Sequence, residues 1–426
     1  MLVREFEVHD FGPIREGRVE IGDLTLLIGP QNSGKTYLSM LLYTLSELGD
    51  HITDIIIDEI AKVVFSYGRG IRGRSAHDVV RELALKHLDE IKERVIRAIK
   101  ESSQRFMTSE LRACFLAYDL RTLVRKSAEK ARVLCIYGLD KQEFRIDMSI
   151  SHEVAVENIK LSEGLLRDFI VQFFGNKERP PARALYVPAD RLAIISSLSS
   201  YISLLLDIHR HIFERASAAE ILRQVGFGVR KPLLDYIKIV DLAIKGARLP
   251  VETELSGSVL GIGSFSVEKG RIWYEDHRGV KIPIELASSG IAQLIGIILP
   301  LSAILSPSFP LILFYGAYDM VIIEEPEVNL HADLHIEVAR FLADLSRRLK
   351  VFITTHSHYV LAELSNLLVS GELKGLKAYF VDPETGLIEP LAVDEREGVE
   401  LPRSIERALS SLAEEALRSL KGAYPG

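Results

Sequence analysis

Gly29-Pro30-Gln31-Asn32-Ser33-Gly34-Lys35-Thr36 constrains this chain more than any other stretch. The eight residues satisfy G-x-x-x-x-G-K-[ST], a pattern in which backbone N–H groups surround the phosphates of a nucleotide. Their setting agrees: Leu24 to Ile28 is a short apolar run that reads as a doubly buried strand, and Tyr37 to Leu45 reads as a helix. Glycines at 29 and 34 allow the tight turn, the helix N-terminus faces the anion, and Lys35 reaches the terminal phosphates. Thr36 offers a hydroxyl to Mg²⁺. The pattern predicts binding of ATP or GTP on a strand–loop–helix unit.

Length and composition exclude several classes. The 426 residues are enough for two or three domain-sized units, and 47% hydrophobic with 26% charged residues is ordinary for a globular protein. Two cysteines, Cys114 and Cys135, make neither a disulfide framework nor a Cys-rich metal site. That usage suits a reducing, cytoplasmic setting. The N-terminal residues have no signal-peptide layout. Ile291 to Leu305 is the most apolar stretch, but it falls short of the roughly 20 residues a membrane span needs. It reads as a buried helix, and no membrane role is expected.

Charge is unevenly spread. The net charge is −7, yet Lys62 to Arg132 holds 17 Lys/Arg against 9 Asp/Glu, so the remaining residues are strongly acidic. A basic segment in an acidic protein fits an anionic partner such as nucleic acid, and equally a solvated helical surface with pairs such as Glu90–Arg94.

Residues 2–8 and 17–21 read as strands around a turn at Phe11-Gly12-Pro13. From Tyr37 to about Val133 the spacing is helical almost throughout, with breaks at Gly68-Arg69-Gly70 and Gly73. Val79, Leu83, Leu85, Leu88, Ile91, Val95 and Ile99 share one apolar stripe of helical period. Alternation returns at Phe144 to Ile150, followed by a helix at Glu163 to Phe174, a loop at Asn176 to Pro181 and a strand at Ala184 to Val187. A second helical block runs to about Lys245, and Val251 to Glu285 reads as antiparallel hairpins. A helix at 289–305, a strand at Met320 to Ile323, a helix at Ala332 to Leu349 and a strand at Val351 to Thr355 imply a parallel sheet. Lys377 to Val381 reads as a last strand, with a charged helix at the terminus.

A P-loop ATPase also needs a carboxylate at the end of a neighbouring strand. Asp58-Glu59 follows an apolar run but sits about 20 residues past Thr36, with no room for a crossover and a separate strand. Val321-Ile322-Ile323-Glu324-Glu325-Pro326 fits better, since two acids cap a buried run. Glu324 is the candidate for assisting Mg²⁺ and Glu325 for orienting water. Ala287-Ser288-Ser289-Gly290 opens an apolar helix and, taken alone, reads as an ordinary N-cap. His356, after Thr354-Thr355, is alone at a strand end, where histidines are usually structural. Order changes that reading: P-loop, Ser-Ser-Gly, strand-Glu-Glu, Asn329-Leu330-His331, strand-His.

In that order the chain resembles ATP-binding-cassette (ABC) ATPases of the branch that includes SMC, RecF and the overcoming-lysogenization-defect (OLD) proteins. The matching pieces are FEVHDFGPI with LTLLIGPQNSGKT, ALYVPADR, ELASSGIAQL, VIIEEPEVNLHADLH and ITTHSHYVLAELSNLL. The resemblance implies an α/β fold, an ABC-type head with a parallel sheet core, an antiparallel β subdomain and two helical insertions. The expected division is 1–48 for the first part of the core, 49–132 for a basic helical insertion, 133–191 for the core continued, 192–250 for a helical lobe, 251–395 for the signature, acidic-strand and switch segments, and 396–426 for a C-terminal helix.

The resemblance further implies a head-to-tail homodimer that clasps ATP. Residues 29–36 of one copy would hold the nucleotide, Ser288, Ser289 and Gly290 of the other would close on its γ-phosphate, and Mg²⁺ would sit at Thr36 and Glu324. Lys35, Glu325 and His356 would be the catalytic set, His356 standing where the family carries its switch histidine.

Three departures bear on function. Ala-Ser-Ser-Gly replaces the Leu-Ser-Gly-Gly of transporters, which favours the OLD-like branch. Pro188-Ala189-Asp190-Arg191 stands where a glutamine loop is expected; Asp190 or Arg191 could sense the nucleotide, or form a structural pair. The stretch after His356 is too short for the TOPRIM nuclease domain of OLD proteins. The resulting expectation is an ATP-hydrolysing switch in DNA maintenance or genome defence, with a nuclease or toxin as a possible partner. The other readings are an ATP-dependent regulator of a separate effector, of toxin–antitoxin kind and without DNA contact, and, less favoured, a transporter motor.

Overall fold

A computed structural model describes residues 1–67, 76–139, 141–176, 183–195, 229–245, 261–305 and 318–402. Three expected features fall largely outside these residues: the Gly68–Gly73 break, the loop before Ala184, and most of the terminal helix. The first part of the second helical block does too.

The chain opens with β1 (Leu2–Phe11), β2 (Ile14–Glu20) and β3 (Leu24–Ile28), then α1 (Lys35–Tyr67), α2 (Ala76–Lys86) and α3 (Leu88–Phe115). Next come β4 (Ala131–Leu139), β5 (Gln142–Ile150), β6 (Val154–Leu161), α4 (Glu163–Asn176), β7 (Arg183–Val187) and α5 (Lys231–Lys245). A small hairpin sheet follows as β8 (Ser264–Glu268), β9 (Arg271–Glu275) and β10 (Lys281–Pro283). The rest is α6 (Ser289–Leu305), β11 (Tyr318–Glu324), α7 (Ala332–Leu345), β12 (Lys350–Thr355), α8 (His358–Val369), β13 (Leu376–Val381), β14 (Ile388–Pro390) and the short pair β15 (Val393–Asp394) and β16 (Gly398–Val399).

The larger central sheet has the order β14-β13-β3-β12-β11-β7, parallel except for β14 at its edge. Both faces are covered, which is why its strands read as unbroken apolar runs. On β11, Met320 and Ile322 join the core shared with α1 and the antiparallel sheet, while Val321 and Ile323 join the core under α5, α6, α7 and α8. Phe352 and its neighbours Val351 and Ile353 divide in the same way on β12. A second, antiparallel sheet of order β2-β1-β4-β5-β6 packs with α1, α3 and α4. The protein is thus α/β, with a parallel core sheet beside an antiparallel one.

Two strands depart from the sequence reading. The helical run expected to reach about Val133 ends at Phe115, and Ala131–Leu139 is a strand between β1 and β5. Seven of its nine residues are buried, so it lacks the alternation that marks a half-exposed strand. The second, β6, pairs with β5 across a register shift near Asp147, which interrupts its periodicity. The apolar stretch at α6 is 17 residues long, and Ala292 to Ile304 are all buried. Among the described residues no helix is long and apolar enough to cross a membrane.

Sheet order positions the site. Strands β3, β12, β11 and β7 are successive neighbours running the same way. Their C-terminal ends bring Gly29, His356, Glu325 and Pro188 to one edge, the side where open parallel sheets bind ligands.

Candidate functional site

The loop between β3 and α1 turns through two left-handed residues, Asn32 (φ 60°) and Gly34 (φ 103°). A Cβ at Gly34 would also lie 2.7 Å from Pro13 Cγ, and one at Gly29 would lie 2.6 Å from the Val381 carbonyl. Both glycines are therefore needed for space. Pro30, Gln31, Asn32 and Thr36 are exposed, whereas Ser33 and Lys35 are buried. The Lys35 ammonium donates to the carbonyls of Gly29 and Pro30, each at 2.8 Å, and to Ser33 Oγ at 3.3 Å. Burial pushes Lys35 down to about 8, with Glu325, Glu327 and Glu324 acting against it.

Glu324 ends β11 and is 6% exposed. Burial pushes its carboxyl up, opposed by the neighbouring Tyr186 and Thr36 hydroxyls. Its Oε1 has no hydrogen-bond partner among the described residues. A buried, unpartnered carboxylate oxygen beside a threonine hydroxyl is a hard-oxygen donor set, and it suits Mg²⁺ with phosphate oxygens completing the sphere. Among the described residues there is no cluster of three His, Cys, Asp or Glu side chains able to hold a metal alone.

Glu325 lies just past the strand in a left-handed conformation (φ 42°), costly for a residue with a side chain. Its N–H donates to the Thr354 carbonyl at 2.9 Å, which ties it to β12. The turn swings its carboxylate to 3.4 Å from His356 Nε2. His356 holds the Glu325 carboxyl below its ordinary range, while burial opposes that shift. Lys35, Glu324, Glu325, His356 and Thr36 thus meet at one sheet edge.

Two buried side chains complete this edge. Arg191 is 0% exposed and donates to four carbonyls: Pro188 at 2.9 Å, Glu324 at 2.8 Å, Glu325 at 2.9 Å and Gln293 at 3.2 Å. It does not pair with Asp190, which is exposed. The guanidinium fastens the acidic turn to the loop after β7 and to α6; desolvation pushes it down to about 10. Glu327 was passed over in the sequence, although it is the third acid of Glu324-Glu325-Pro326-Glu327. It accepts from Thr355 Oγ1 at 2.5 Å and from the His356 N–H at 3.0 Å, so it fixes the backbone that carries His356. A third acid so close to two functional ones was the available signal.

Ser288, Ser289 and Gly290 are not brought to the P-loop by any hydrogen bond among the described residues. Ser288 caps α6, its Oγ accepting from Ile291 N–H at 3.4 Å, and both serines are exposed. Gly290 packs on the turn after β11: a Cβ there would lie 3.1 Å from Asn329 O and from Leu330 Cδ2. His331 is the N-cap of α7. The other acidic candidate, Asp58-Glu59, is in the middle of α1, where Glu59 accepts from Lys62 at 2.7 Å and Arg94 at 2.9 Å.

Comparison with known proteins places the chain in a family. The family model described as "AAA domain, putative AbiEii toxin, Type IV TA system" matches residues 24–362. The chain belongs to this family of P-loop AAA-domain ATPases, and that membership implies ATP binding. Among solved structures, it is similar to the SMC head domain from Thermotoga maritima (10% identity, 92% of this chain and 100% of that one, TM-score 0.42). It is also similar to an Smc head with an extended coiled coil bound to the C-terminal domain of ScpA derived from Pyrococcus furiosus (12% identity, 97% and 99%, TM-score 0.43). A third is the recombination mediator RecF (14%, 92% and 98%, TM-score 0.37). No curated protein matches the chain.

Proposed function

We propose that this protein is an ATP-hydrolysing switch whose two copies dock head to tail on ATP. The observation that carries the reading is the convergence of Lys35, Thr36, Glu324, Glu325 and His356 at the ends of three adjacent parallel strands. The backbone of residues 29–36 and the start of α1 would cradle the phosphates, with Lys35 moving from its loop carbonyls to the β- and γ-phosphates. Thr36 and Glu324 would hold Mg²⁺, which when bound neutralises charge on the phosphate oxygens. Glu325 would orient the attacking water and accept its proton as the bond to the γ-phosphorus forms and the bond to the ADP oxygen breaks. His356, 3.4 Å from Glu325, would hold that carboxylate in place and reach the γ-phosphate. The exposed Ser288, Ser289 and Gly290 would face the γ-phosphate of a second copy. Lys35→Ala should abolish ATP retention in calorimetry. Equal affinity in that variant would overturn the nucleotide assignment.

The basic stretch from Lys62 to Arg132 supports DNA as the anionic partner, within DNA maintenance or defence. Part of that charge is already paired: Lys62 meets Asp58 and Glu59, and Arg94 meets Glu59. The family description favours a second reading, in which ATP state controls a toxin-type effector without DNA contact. Salt separates them. A DNA affinity that falls steeply with added salt supports the first reading, and no DNA retention even at low salt supports the second.

A further inference from the structure

We infer that a cleft between the first turn of α1 and the end of α3 is the nucleoside subsite, holding the base and ribose of the bound nucleotide. The inference rests on the proposed seating of ATP's phosphates on residues 29–36. The cleft has a volume of about 320 Å³, within the lower range of small-ligand sites. Thr36, Tyr37, Phe115, Leu116, Tyr118 and Asp119 contribute to its wall. Thr36 is the last residue of the phosphate loop, so this wall is continuous with the phosphate site. Glu324, Glu325 and His356 do not line the cleft. A triphosphate with its γ end at those three groups directs its sugar elsewhere, and this cleft adjoins the loop.

The walls are built rather than incidental. Helix α3 stops where Leu116 turns left-handed (φ 53°), an unfavourable state for leucine, and the Ala117 N–H closes on the Arg112 carbonyl at 3.2 Å. Asp119 then caps a 3₁₀ turn, Leu120–Leu123, by accepting from the Arg121 N–H at 2.9 Å. The turn is tied back to the β1–β2 corner, where the Gly12 N–H donates to Leu123 O at 2.6 Å. Beneath it Phe11, Tyr37 and Phe115 interlock, their centroids 5.4 to 6.1 Å apart. On this rigid floor the lip exposes apolar surface: Tyr118 is 97% exposed and Leu116 47%. A planar base laid against Tyr118 would cover that surface, as aromatic side chains do for single-stranded nucleic-acid bases. Asp119 retains acceptor capacity beyond its bonds to Arg121 N–H and His152 Nδ1. Ribose hydroxyls and an exocyclic amino group are the donors it would take.

The test compares ATP with inorganic tripolyphosphate by titration calorimetry on the full-length protein. Wild type should bind ATP more tightly than tripolyphosphate. Tyr118→Ala, a fully exposed position with little bearing on folding, should weaken ATP about tenfold and leave tripolyphosphate unchanged, while Tyr118→Phe should restore ATP affinity. Unchanged ATP affinity in Tyr118→Ala, or an equal loss for both ligands, overturns the cleft assignment while Lys35→Ala still reports on the phosphate site. If wild type binds neither ligand, the phosphate reading fails and the subsite falls with it.

Discussion

Lys35 carries its charge where water hardly reaches, and its behaviour with pH follows. Its ordinary value is 10.5 and burial lowers it to about 8. Below pH 8 folded and unfolded chains both hold the proton, so the cost of burying the charge is fully present. Between about 8 and 10.5 the unfolded chain binds more protons, so this residue's contribution to stability rises with pH. A triphosphate reverses the balance by favouring the charged amine. ATP affinity should fall above pH 8, by up to about tenfold per unit, and binding at pH 9 should take up a proton. Calorimetry at pH 9 in two buffers of different ionisation enthalpy checks this, and identical heats would contradict it. Arg191 makes a different prediction. Arg191→Met takes this donor from four carbonyls, three of them buried and that of Glu325 half-buried. The loss should reach roughly 3 kcal/mol or more, read as a lower urea midpoint at unchanged slope. A loss below about 0.5 kcal/mol, as for an ordinary surface site, would show that the clamp is not structural.

The elements divide into those a sequence displays and those that need the fold. Strands β3, β11 and β12 are legible because each is an unbroken apolar run ended by chemistry: a glycine loop, Glu324-Glu325-Pro326, or Thr355-His356. The adjacency of β11 and β12 follows from their strand–helix–strand order, whereas that of β3 and β12 needs the fold. Strand β4 was hidden because burial on both sides removes alternation; Arg191 stood out as a candidate, but its clamp role did not, because its four acceptors are backbone groups that only the folded sheet assembles. The left-handed turn that aims Glu325 at His356 was equally invisible, since glutamate gives no hint of a positive φ. Two Asp/Glu pairs that look alike in sequence should part company in assay. Glu325→Gln, at a strand end facing Lys35 and His356, should lower turnover by about a hundredfold or more. Glu59→Gln, on α1 beside Lys62 and Arg94, should leave turnover unchanged. Steady-state ATPase assays of both variants decide it, and the reverse pattern would move the catalytic acid to α1.

At the scale of the whole molecule, the start of α6 stands exposed among the described residues. Ser288 and Ser289 are exposed, and their helix is held from behind by Arg191 through Gln293 and by Gly290 against Asn329 and Leu330. The same guanidinium grips the carbonyls of Glu324 and Glu325. One buried residue therefore links the acidic turn to the helix whose tip would meet a second copy, and in the proposed dimer it would give nucleotide state a rigid route to that surface. Ligand can shift association only through contacts made in the docked state. Light scattering on the Glu325→Gln variant, with and without ATP and Mg²⁺, measures this most directly. The mass should rise from 47.7 kDa to twice that value on ATP, and adding Ser288→Arg should abolish the rise while calorimetry still detects ATP binding. An ATP-saturated protein that stays at 47.7 kDa would contradict the account.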